Sequence, residues 1–194
     1  MREIWLLRHG QTDWNLQGRW QGQASFAPGL NETGFAQARS AAEELSEIQF
    51  GAIYSSDLLR ARQTAEAVAE KQGMSVLVDE RLREVNLGEW EGMLSEDVKA
   101  RYPNELRERD ENPLHARPPQ GETLAEVAER AKAAVNDILQ RQAQGPLLIV
   151  SHGLTLASLV CMSSHIPLER AYEYIPENAK PHRIEWNDAR LEAK

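Results

Sequence analysis

Short apolar runs that stop at polar or glycine residues recur along the chain and predict β-strands. The runs, of which the last is weaker than the others, are Ile4–Leu7, Ala52–Tyr54, Val76–Val78, Leu147–Val150 and Arg183–Trp186. Longer stretches with helical patterns lie between them. The alternation of strands with helices predicts an α/β fold built on a largely parallel sheet.

The predicted helices cover four stretches: Glu32–Leu45, Ser56–Lys71, Glu122–Gln142 and Leu154–Met162. The second opens with Ser-Ser-Asp, residues that favour helix N-caps, and ends at Gly73. The third starts with Thr123 followed by Glu126, the pattern of a capping box. The proline-rich stretch 112–122 predicts a loop near the mouth of a site, and residues 187–194 predict a frayed end.

The composition is that of an ordinary globular protein, and its length of 194 residues favours one domain. Hydrophobic residues make up 41% of the chain and charged residues 27%, and the formal net charge is −8. There is no basic run, which argues against a nucleic-acid partner. An anionic ligand would therefore need a local cluster of positive groups.

Cysteine content and the length of the apolar runs bear on location. Cys161 is the one cysteine, so no intramolecular disulfide is expected, and its apolar neighbours predict a buried, inert thiol. Arg8 interrupts the first apolar run, which does not match a secretory signal. No stretch approaches the ~20 apolar residues that span a bilayer. We expect a cytoplasmic protein with no membrane partner.

Two of the predicted strands end in the same dipeptide, His-Gly. Arg8-His9-Gly10 follows the first run, and Ser151-His152-Gly153 follows the fourth. Ligands of open α/β sheets collect at the carboxyl ends of the strands, so both imidazoles are expected in one pocket. Gly153, like Gly10, lets the backbone turn sharply and approach a ligand closely.

Three arginines are candidates for binding an anion. Arg8 ends a buried strand with no acid beside it in sequence, so an anionic ligand is its natural partner. Arg60 stands early in a predicted helix, where free N–H groups and the helix dipole also favour anions. For Arg62 two interpretations stay open, a binding role and a surface pair with Glu66.

Five segments match the motifs of one family in order and spacing: LLRHGQTDWN (6–15), IYSSDLLRARQTA (53–65), LREVNLGEWEG (82–92), PQGETL (119–124) and VSHG (150–153). On these segments the chain resembles the histidine phosphatase superfamily, also called the phosphoglycerate mutase-like family. The resemblance implies a three-layer α/β fold with a mostly parallel sheet flanked by helices. It also implies one domain over residues 1–194, with a cap-like insertion at about 92–122.

The resemblance implies a role for each matching residue. His9 resembles the nucleophile that becomes phosphohistidine. Glu84, which its sequence neighbours alone would class as a solvated charge, resembles the general acid and base. Arg8, Arg60 and His152 resemble the remainder of the phosphate pocket. Further substrate contacts are implied at Thr12, Asn15, Gln21 and Gly22.

The expected reaction is hydrolysis of a small phosphomonoester without metal or cofactor. Arg8 and Arg60, with His152 if it is protonated, would stabilise the charge of the phosphoryl group. His9 must be neutral at the attacking nitrogen, and a hydrogen bond from its other nitrogen to a carbonyl near Gly10 would fix the tautomer. Glu84, if protonated, would supply a proton to the leaving group.

Three alternatives remain open at this stage. The first is a phosphoglycerate mutase on the same site, disfavoured because the segment after Glu84 is short and acid-rich. The second is a metal-dependent hydrolase with His9, His152 and Glu84 as ligands. The third is a non-catalytic module that binds phosphate.

The chain departs from the family pattern in two places. The stretch GQASFAPGLNETG (22–34) is longer than its counterpart by about two residues and lacks an acid, which leaves the substrate undefined. The chain also stops soon after Trp186, which bears on the sheet edge or an oligomer interface. Family members occur as monomers and homodimers, so the resemblance leaves both states open for this chain.

Overall fold

The computed structural model describes residues 1–142 and 144–187, in which one five-stranded sheet forms the centre of the molecule. The strands are β1 (Arg2–Arg8), β2 (Ala52–Ser55), β3 (Val76–Val78), β4 (Leu147–Ser151) and β5 (Pro181–Trp186). Their order is β3-β2-β4-β1-β5, and all neighbours are parallel except β5, which runs antiparallel to β1. All five predicted strands are confirmed, whereas the predicted frayed end falls almost entirely outside the described residues.

Seven α-helices are present in the described part of the chain. They are α1 (Asp13–Gln17), α2 (Glu32–Glu44), α3 (Leu59–Gln72), α4 (Ser95–Arg101), α5 (Pro103–Glu111), α6 (Leu124–Arg141) and α7 (Gly153–Ser163). Short 3-10 helices cover Glu80–Leu82, Gly88–Trp90 and Leu168–Tyr174. Across these described residues, no helix combines the length and apolarity needed to cross a membrane.

Alternation along the strands divides the core between the two faces of the sheet. Ile4, Leu6 and Ile149 point to one face and pack against α6 and α7. Leu7 and Val150 point to the other face and pack against α2 and α3. Because apolar side chains cover both faces, helices must cover both, and the predicted three-layer α/β fold is confirmed.

The helix ends agree with the sequence in one case and differ in another. The predicted capping box at the start of α6 is present, with Thr123 and Glu126 bonded reciprocally. The predicted N-cap of α3 is wrong: the helix begins at Leu59 and its cap, Leu58, makes no side-chain hydrogen bond. The hydroxyl of Ser56 instead bonds His152 and the backbone N–H of Leu58.

Candidate active site

Two buried histidines lie side by side where β1 and β4 end. These strands are parallel neighbours with Arg8 opposite Ser151, so the residues that follow them leave the sheet together. The backbone N–H of His9 donates to the carbonyl oxygen of Ser151 at 3.0 Å. The rings of His9 and His152 have centroids 5.2 Å apart and are 3% and 0% exposed. The two imidazoles therefore converge, as the strand pattern predicted.

The hydrogen bonds of His9 fix its tautomer. Nδ1 lies 2.7 Å from the carbonyl oxygen of Gly10, and Nε of Arg60 lies 3.2 Å from Nε2. A carbonyl can only accept a hydrogen bond and a guanidinium can only donate one. Nδ1 therefore carries the ring proton, as expected for a carbonyl partner near Gly10, and Nε2 carries the lone pair.

The surroundings of both histidines keep them neutral. Burial lowers the pKa of His9 well below its usual value, and the charges of Arg60 and Arg8 lower it further. Burial and Arg60 likewise lower the pKa of His152. The protonated His152 that the sequence analysis considered is thus not the form present near neutral pH, while a neutral His9 keeps its lone pair.

Two arginines, the buried Arg60 and the half-buried Arg8, supply the positive charge of the site. Burial lowers the pKa of Arg60 to about 10, which leaves its guanidinium charged at neutral pH. Its Nη2 donates to the carbonyl oxygen of Gly22 at 2.8 Å. The Nη1 of Arg8 donates to the carbonyl oxygen of Pro176 at 2.9 Å. These backbone contacts hold both side chains in place.

Two buried nitrogens of this cluster, Nε of Arg8 and Nδ1 of His152, have no hydrogen-bond partner among the described residues. The other ring nitrogen of His152, Nε2, lies 2.9 Å from the hydroxyl oxygen of Ser56. If Ser56 donates its O–H there, the ring proton of His152 sits on Nδ1 as a donor. Buried donors without partners are costly, so the pair indicates a place for an acceptor-rich anion.

Glu84 lies beside this cluster at the start of α7. Its Oε1 accepts from the backbone N–H groups of Val85 at 3.0 Å and Thr155 at 3.2 Å, and its Oε2 accepts from that of Leu154 at 3.2 Å. A Cβ on Gly153 would lie 3.4 Å from Oε2 and 3.6 Å from Cζ of Arg8. Glycine at that position lets the helix start approach the carboxylate and the guanidinium closely.

The segment around α1 forms one wall of the site. Thr12 caps α1 in a reciprocal capping box with Asn15, whose side-chain oxygen accepts from the backbone N–H of Thr12 at 3.0 Å. The hydroxyl of Thr12, which is fully buried, also lies 3.1 Å from Oε1 of Gln21. Because the Asn15 oxygen is engaged in the cap, its amide N–H₂ is the end left for a ligand.

The wall and the cluster enclose an open cavity of about 390 Å³. Its lining includes most of the candidate residues: Arg8, His9, Asn15, Gln21, Gly22, Arg60 and Glu84. Thr12, His152 and Gly153 are not among the residues that line it. Arg62 does not line the cavity; it pairs with Glu66 at 3.2 Å with about half of each side chain exposed. For Arg62 the structure therefore shows the surface pair.

Sequence reasoning missed the group that holds the Glu84 segment in place. Nη1 and Nη2 of Arg130 donate to the carbonyl oxygens of Arg81, Arg83 and Glu84 at 2.7–2.9 Å. Nε of Arg130 pairs with Glu122 at 2.9 Å. Glu122 belongs to the PQGETL segment, which matches a motif of the family but did not indicate this partner.

Gln23 adds a second contact to the same carbonyl. Its Nε2 donates to the oxygen of Glu84 at 2.8 Å, and its backbone N–H donates to Oε1 of Glu91 at 2.7 Å. The atypical stretch 22–34 thus contains a residue that holds the backbone of Glu84 in place. Three further lining residues, Trp14, Arg19 and Trp20, were also missed, although they lie close to the first motif.

An α/β sheet that presents neutral histidines and charged arginines at its carboxyl edge forms a site suited to an acceptor-rich anion. The family model of the histidine phosphatase superfamily (branch 1) matches residues 4–194. The chain belongs to this superfamily, and the recognition made from its motifs is confirmed.

Curated relatives and a solved structure give the same result. The chain is 33% identical to phosphoserine phosphatase 1 of Hydrogenobacter thermophilus, over 98% of this chain and 89% of the relative. It is 34% identical to the probable phosphoglycerate mutase GpmB of Escherichia fergusonii, over 97% and 87%. The structure of a mycobacterial glucosyl-3-phosphoglycerate phosphatase with VO3 superimposes with a TM-score of 0.85 at 33% identity, covering 94% of this chain and 90% of that one.

Removal of the Arg130 guanidinium should destabilise the fold. We expect Arg130→Met to lower the free energy of unfolding by about 2 kcal/mol, because Glu122 and the carbonyls lose their donors. Urea unfolding gives this value. Arg62→Met, which breaks only an exposed pair, is the control and should change the free energy by less than about 0.5 kcal/mol. Equal losses in the two variants would contradict a role for Arg130 as a clamp.

The buried histidines should titrate below their usual range. Since burial and the arginines lower the pKa of His9 and of His152, both rings should stay neutral as the pH falls through about 6.5. The unfolded chain takes up these protons first, so the pair should make folding less favourable as the pH falls below that value. Imidazole ¹⁵N NMR measures the titration. A midpoint for His9 at or above about 6.5 would contradict the electrostatic argument.

Proposed function

We propose that this protein hydrolyses small phosphomonoesters through a phosphohistidine formed on Nε2 of His9. The observation that carries the proposal is the lone pair on Nε2 of His9. The Gly10 carbonyl keeps the ring proton on Nδ1, and the lone pair on Nε2 faces Arg60 inside the cavity. Membership of the superfamily and its phosphatase relatives support the same reaction. The names of these relatives specify different substrates, so they do not select one for this chain.

In the first step the phosphoryl group enters the cluster. Its oxygens are better acceptors than an imidazole, so Arg60 turns its donors to them and releases the lone pair of His9. Nε2 attacks phosphorus in line while the bond from phosphorus to the ester oxygen breaks. Glu84 delivers a proton to that oxygen, and the alcohol leaves.

In the second step a water molecule replaces the alcohol. The Glu84 carboxylate takes a proton from the water, whose oxygen attacks phosphorus as the bond to Nε2 breaks. Orthophosphate leaves and His9 regains its lone pair. Arg8 and Arg60 neutralise the phosphoryl charge in both steps, which is the main way that enzymes accelerate phosphoryl transfer.

The positions of the arginines argue against the metal-dependent alternative. Nε of Arg60 already donates to Nε2 of His9, the atom that would have to bind the metal. A cation there would also face the charge of Arg8. The Arg/His cluster can supply the positive charge, so we propose a reaction that needs neither metal nor cofactor.

The mutase alternative differs in the fate of the phosphoryl group. A mutase returns it to the intermediate, whereas a phosphatase transfers it to water. We favour the phosphatase because the segment that follows Glu84 is acid-rich and the cavity is open to solvent. The cytoplasmic location expected from the sequence stays a prediction, as does the choice between monomer and homodimer.

A covalent intermediate should be trapped on His9. Rapid quenching in alkali after mixing with a ³²P-labelled phosphomonoester should leave a label that survives alkali and is lost in acid. His9→Asn should remove the label and lower kcat by about 10⁴-fold or more, because the nucleophile is gone. His182→Asn, an exposed histidine on β5, is the matched control and should change neither.

The same experiment separates the alternatives. The label should form equally in EDTA; loss in EDTA with recovery on adding zinc would support the metal-dependent hydrolase. With 3-phosphoglycerate as substrate, ³¹P NMR should show orthophosphate as the product. Accumulation of 2-phosphoglycerate would identify a mutase. Tight phosphate binding without label or product on any ester would leave only the binding module.

The role of Glu84 predicts a dependence on the leaving group. Glu84→Gln should lower kcat/KM for alkyl phosphomonoesters by about 10²-fold or more, because an alkoxide needs a proton to leave. For p-nitrophenyl phosphate, whose leaving group is stable as an anion, the loss should be much smaller. Glu96→Gln, at an exposed position of α4, serves as the control. An equal loss for both ester types would contradict a proton donor at Glu84.

A further inference from the structure

Arg83, the residue before Glu84, forms an ion pair with Asp57, the residue after Ser56. Nε of Arg83 donates to Oδ1 of Asp57 at 2.7 Å, and Nη2 donates to Oδ2. Two parallel contacts of this kind form a fork, which fixes the orientation of both side chains as well as the distance between them. The fork therefore joins the immediate neighbours of two residues of the site.

Asp57 lies in the turn between β2 and α3, and this turn leads to groups of the phosphate pocket. The hydroxyl oxygen of Ser56 lies 2.9 Å from Nε2 of His152, and Arg60 is the second residue of α3. The cap of that helix, Leu58, makes no side-chain hydrogen bond. The Asp57 carboxylate thus ties the start of α3 to a segment outside the helix.

The backbone of Arg83 is held from the other side. Its carbonyl oxygen accepts from the hydroxyl of Thr155 at 2.7 Å and from Nη1 of Arg130 at 2.7 Å. The next carbonyl, that of Glu84, accepts from Nη2 of Arg130 at 2.9 Å. The Arg83 side chain therefore extends from a backbone that is held at two consecutive carbonyls, and a shift of Asp57 is a shift relative to Glu84.

The fork is the polar link between these two parts of the site. Within the described part of the chain, no other hydrogen bond or ion pair joins residues 56–60 to residues 80–84. Arg60 and the histidines place the phosphoryl group, while Glu84 must come within about 2.6–3.2 Å of the ester oxygen to donate a proton. A displacement of about 1 Å between reacting groups can lower a rate by about 10²-fold.

We propose that Arg83 and Asp57 are positioning residues, which keep the proton donor Glu84 in register with the turn that precedes Arg60. Neither side chain lines the cavity, so both act through their neighbours. The inference rests on the proposed function, because that function assigns the proton of the leaving group to Glu84. Loss of the fork should impair the step that needs this proton and leave phosphate binding almost unchanged.

A neighbouring ion pair provides a matched comparison. Nε and Nη2 of Arg81 donate to Oδ1 and Oδ2 of Asp79 at 3.0 and 2.7 Å. Arg81 and Asp79 are 34% and 13% exposed, and Arg83 and Asp57 are 33% and 23% exposed. Asp79 and Arg81, however, lie two residues apart in one segment. Their fork can stabilise the fold, but it does not join one part of the site to the other.

Two esters with different leaving groups test the inference in Asp57→Asn. For glycerol 3-phosphate, whose alkoxide needs a proton, kcat/KM should fall about tenfold or more, because Glu84 is displaced from the ester oxygen. For p-nitrophenyl phosphate, whose leaving group is stable as an anion, kcat/KM should fall less than about threefold. The inhibition constant of inorganic phosphate should change by less than about twofold, since Arg60 and the histidines remain.

Asp79→Asn is the matched control. In each variant the arginine keeps a second carboxylate nearby, Glu80 at 3.7 Å from Arg83 and Asp137 at 2.6 Å from Arg81, so both variants should fold. The control should keep the wild-type ratio of kcat/KM for the two esters. Thermal unfolding shows how much stability each variant loses, which separates a loss of stability from a loss of positioning.

Three further variants make the test independent of one substitution. Arg83→Gln removes the other half of the fork and should change the ester ratio in the same direction. Combined with Asp57→Asn, it should cost about as much as the larger single loss, because both changes remove one link. Asp57→Glu keeps the charge and should recover part of the activity on glycerol 3-phosphate. If Asp57→Asn does not fold, the ester ratio of Arg83→Gln decides.

The outcomes separate this inference from the proposed function. An unchanged ester ratio in the folded fork variants, or an equal change in Asp79→Asn, would overturn the inference alone. Additive losses in the double variant would overturn it too. If the wild type releases no phosphate, or if Glu84→Gln loses equally on both esters, the proposed function is wrong and the inference with it.

Discussion

The hydrogen bond from Arg60 to Nε2 of His9 is the interaction on which the rest of the site depends. It places a charged donor against the lone pair of a buried imidazole, and it works only if that imidazole is neutral. The same charge, together with burial, keeps the pKa of His9 low. The group that prepares the site for an anion therefore also preserves the nucleophile. The carbonyl of Gly10 completes the arrangement by fixing the tautomer.

This arrangement requires a rigid support, and the sheet provides it. The parallel pairing of β1 with β4 sets the spacing of His9 and His152, and β2, on the other side of β4, leads to Ser56 and then to Arg60. Glu84 comes from outside the sheet and has no strand to position it. Backbone N–H groups at the start of α7 and the Arg130 clamp perform that task instead. The acid is thus located by contacts that are distant along the chain.

The difference between residues positioned by strands and a residue positioned by distant contacts explains which features could be predicted from the sequence. Strands, helices and the two strand-ending histidines follow from local patterns, and the sheet topology then brings the histidines together. Ser56 was misassigned as part of a helix cap. The sequence does not reveal that its hydroxyl bonds a distant imidazole as well as a nearby N–H. Arg130 was missed for the same reason, since its acceptors are carbonyls that any residue could supply. Glu84 stood out only through the family motif, because its neighbours in sequence are those of an exposed charge.

Buried donors without partners connect stability with binding in this molecule. Nε of Arg8, Nδ1 of His152 and Nε1 of Trp90 are buried without partners in the described part of the chain. Each such group costs about 1–3 kcal/mol in a folded protein. A fold with an overall charge of −8 nevertheless keeps Arg60 buried and Arg8 half-buried at one edge of its sheet. Such donors already lie where a dianion would bind, so part of the free energy lost by burying them without partners would be recovered as binding and as stabilisation of the transition state.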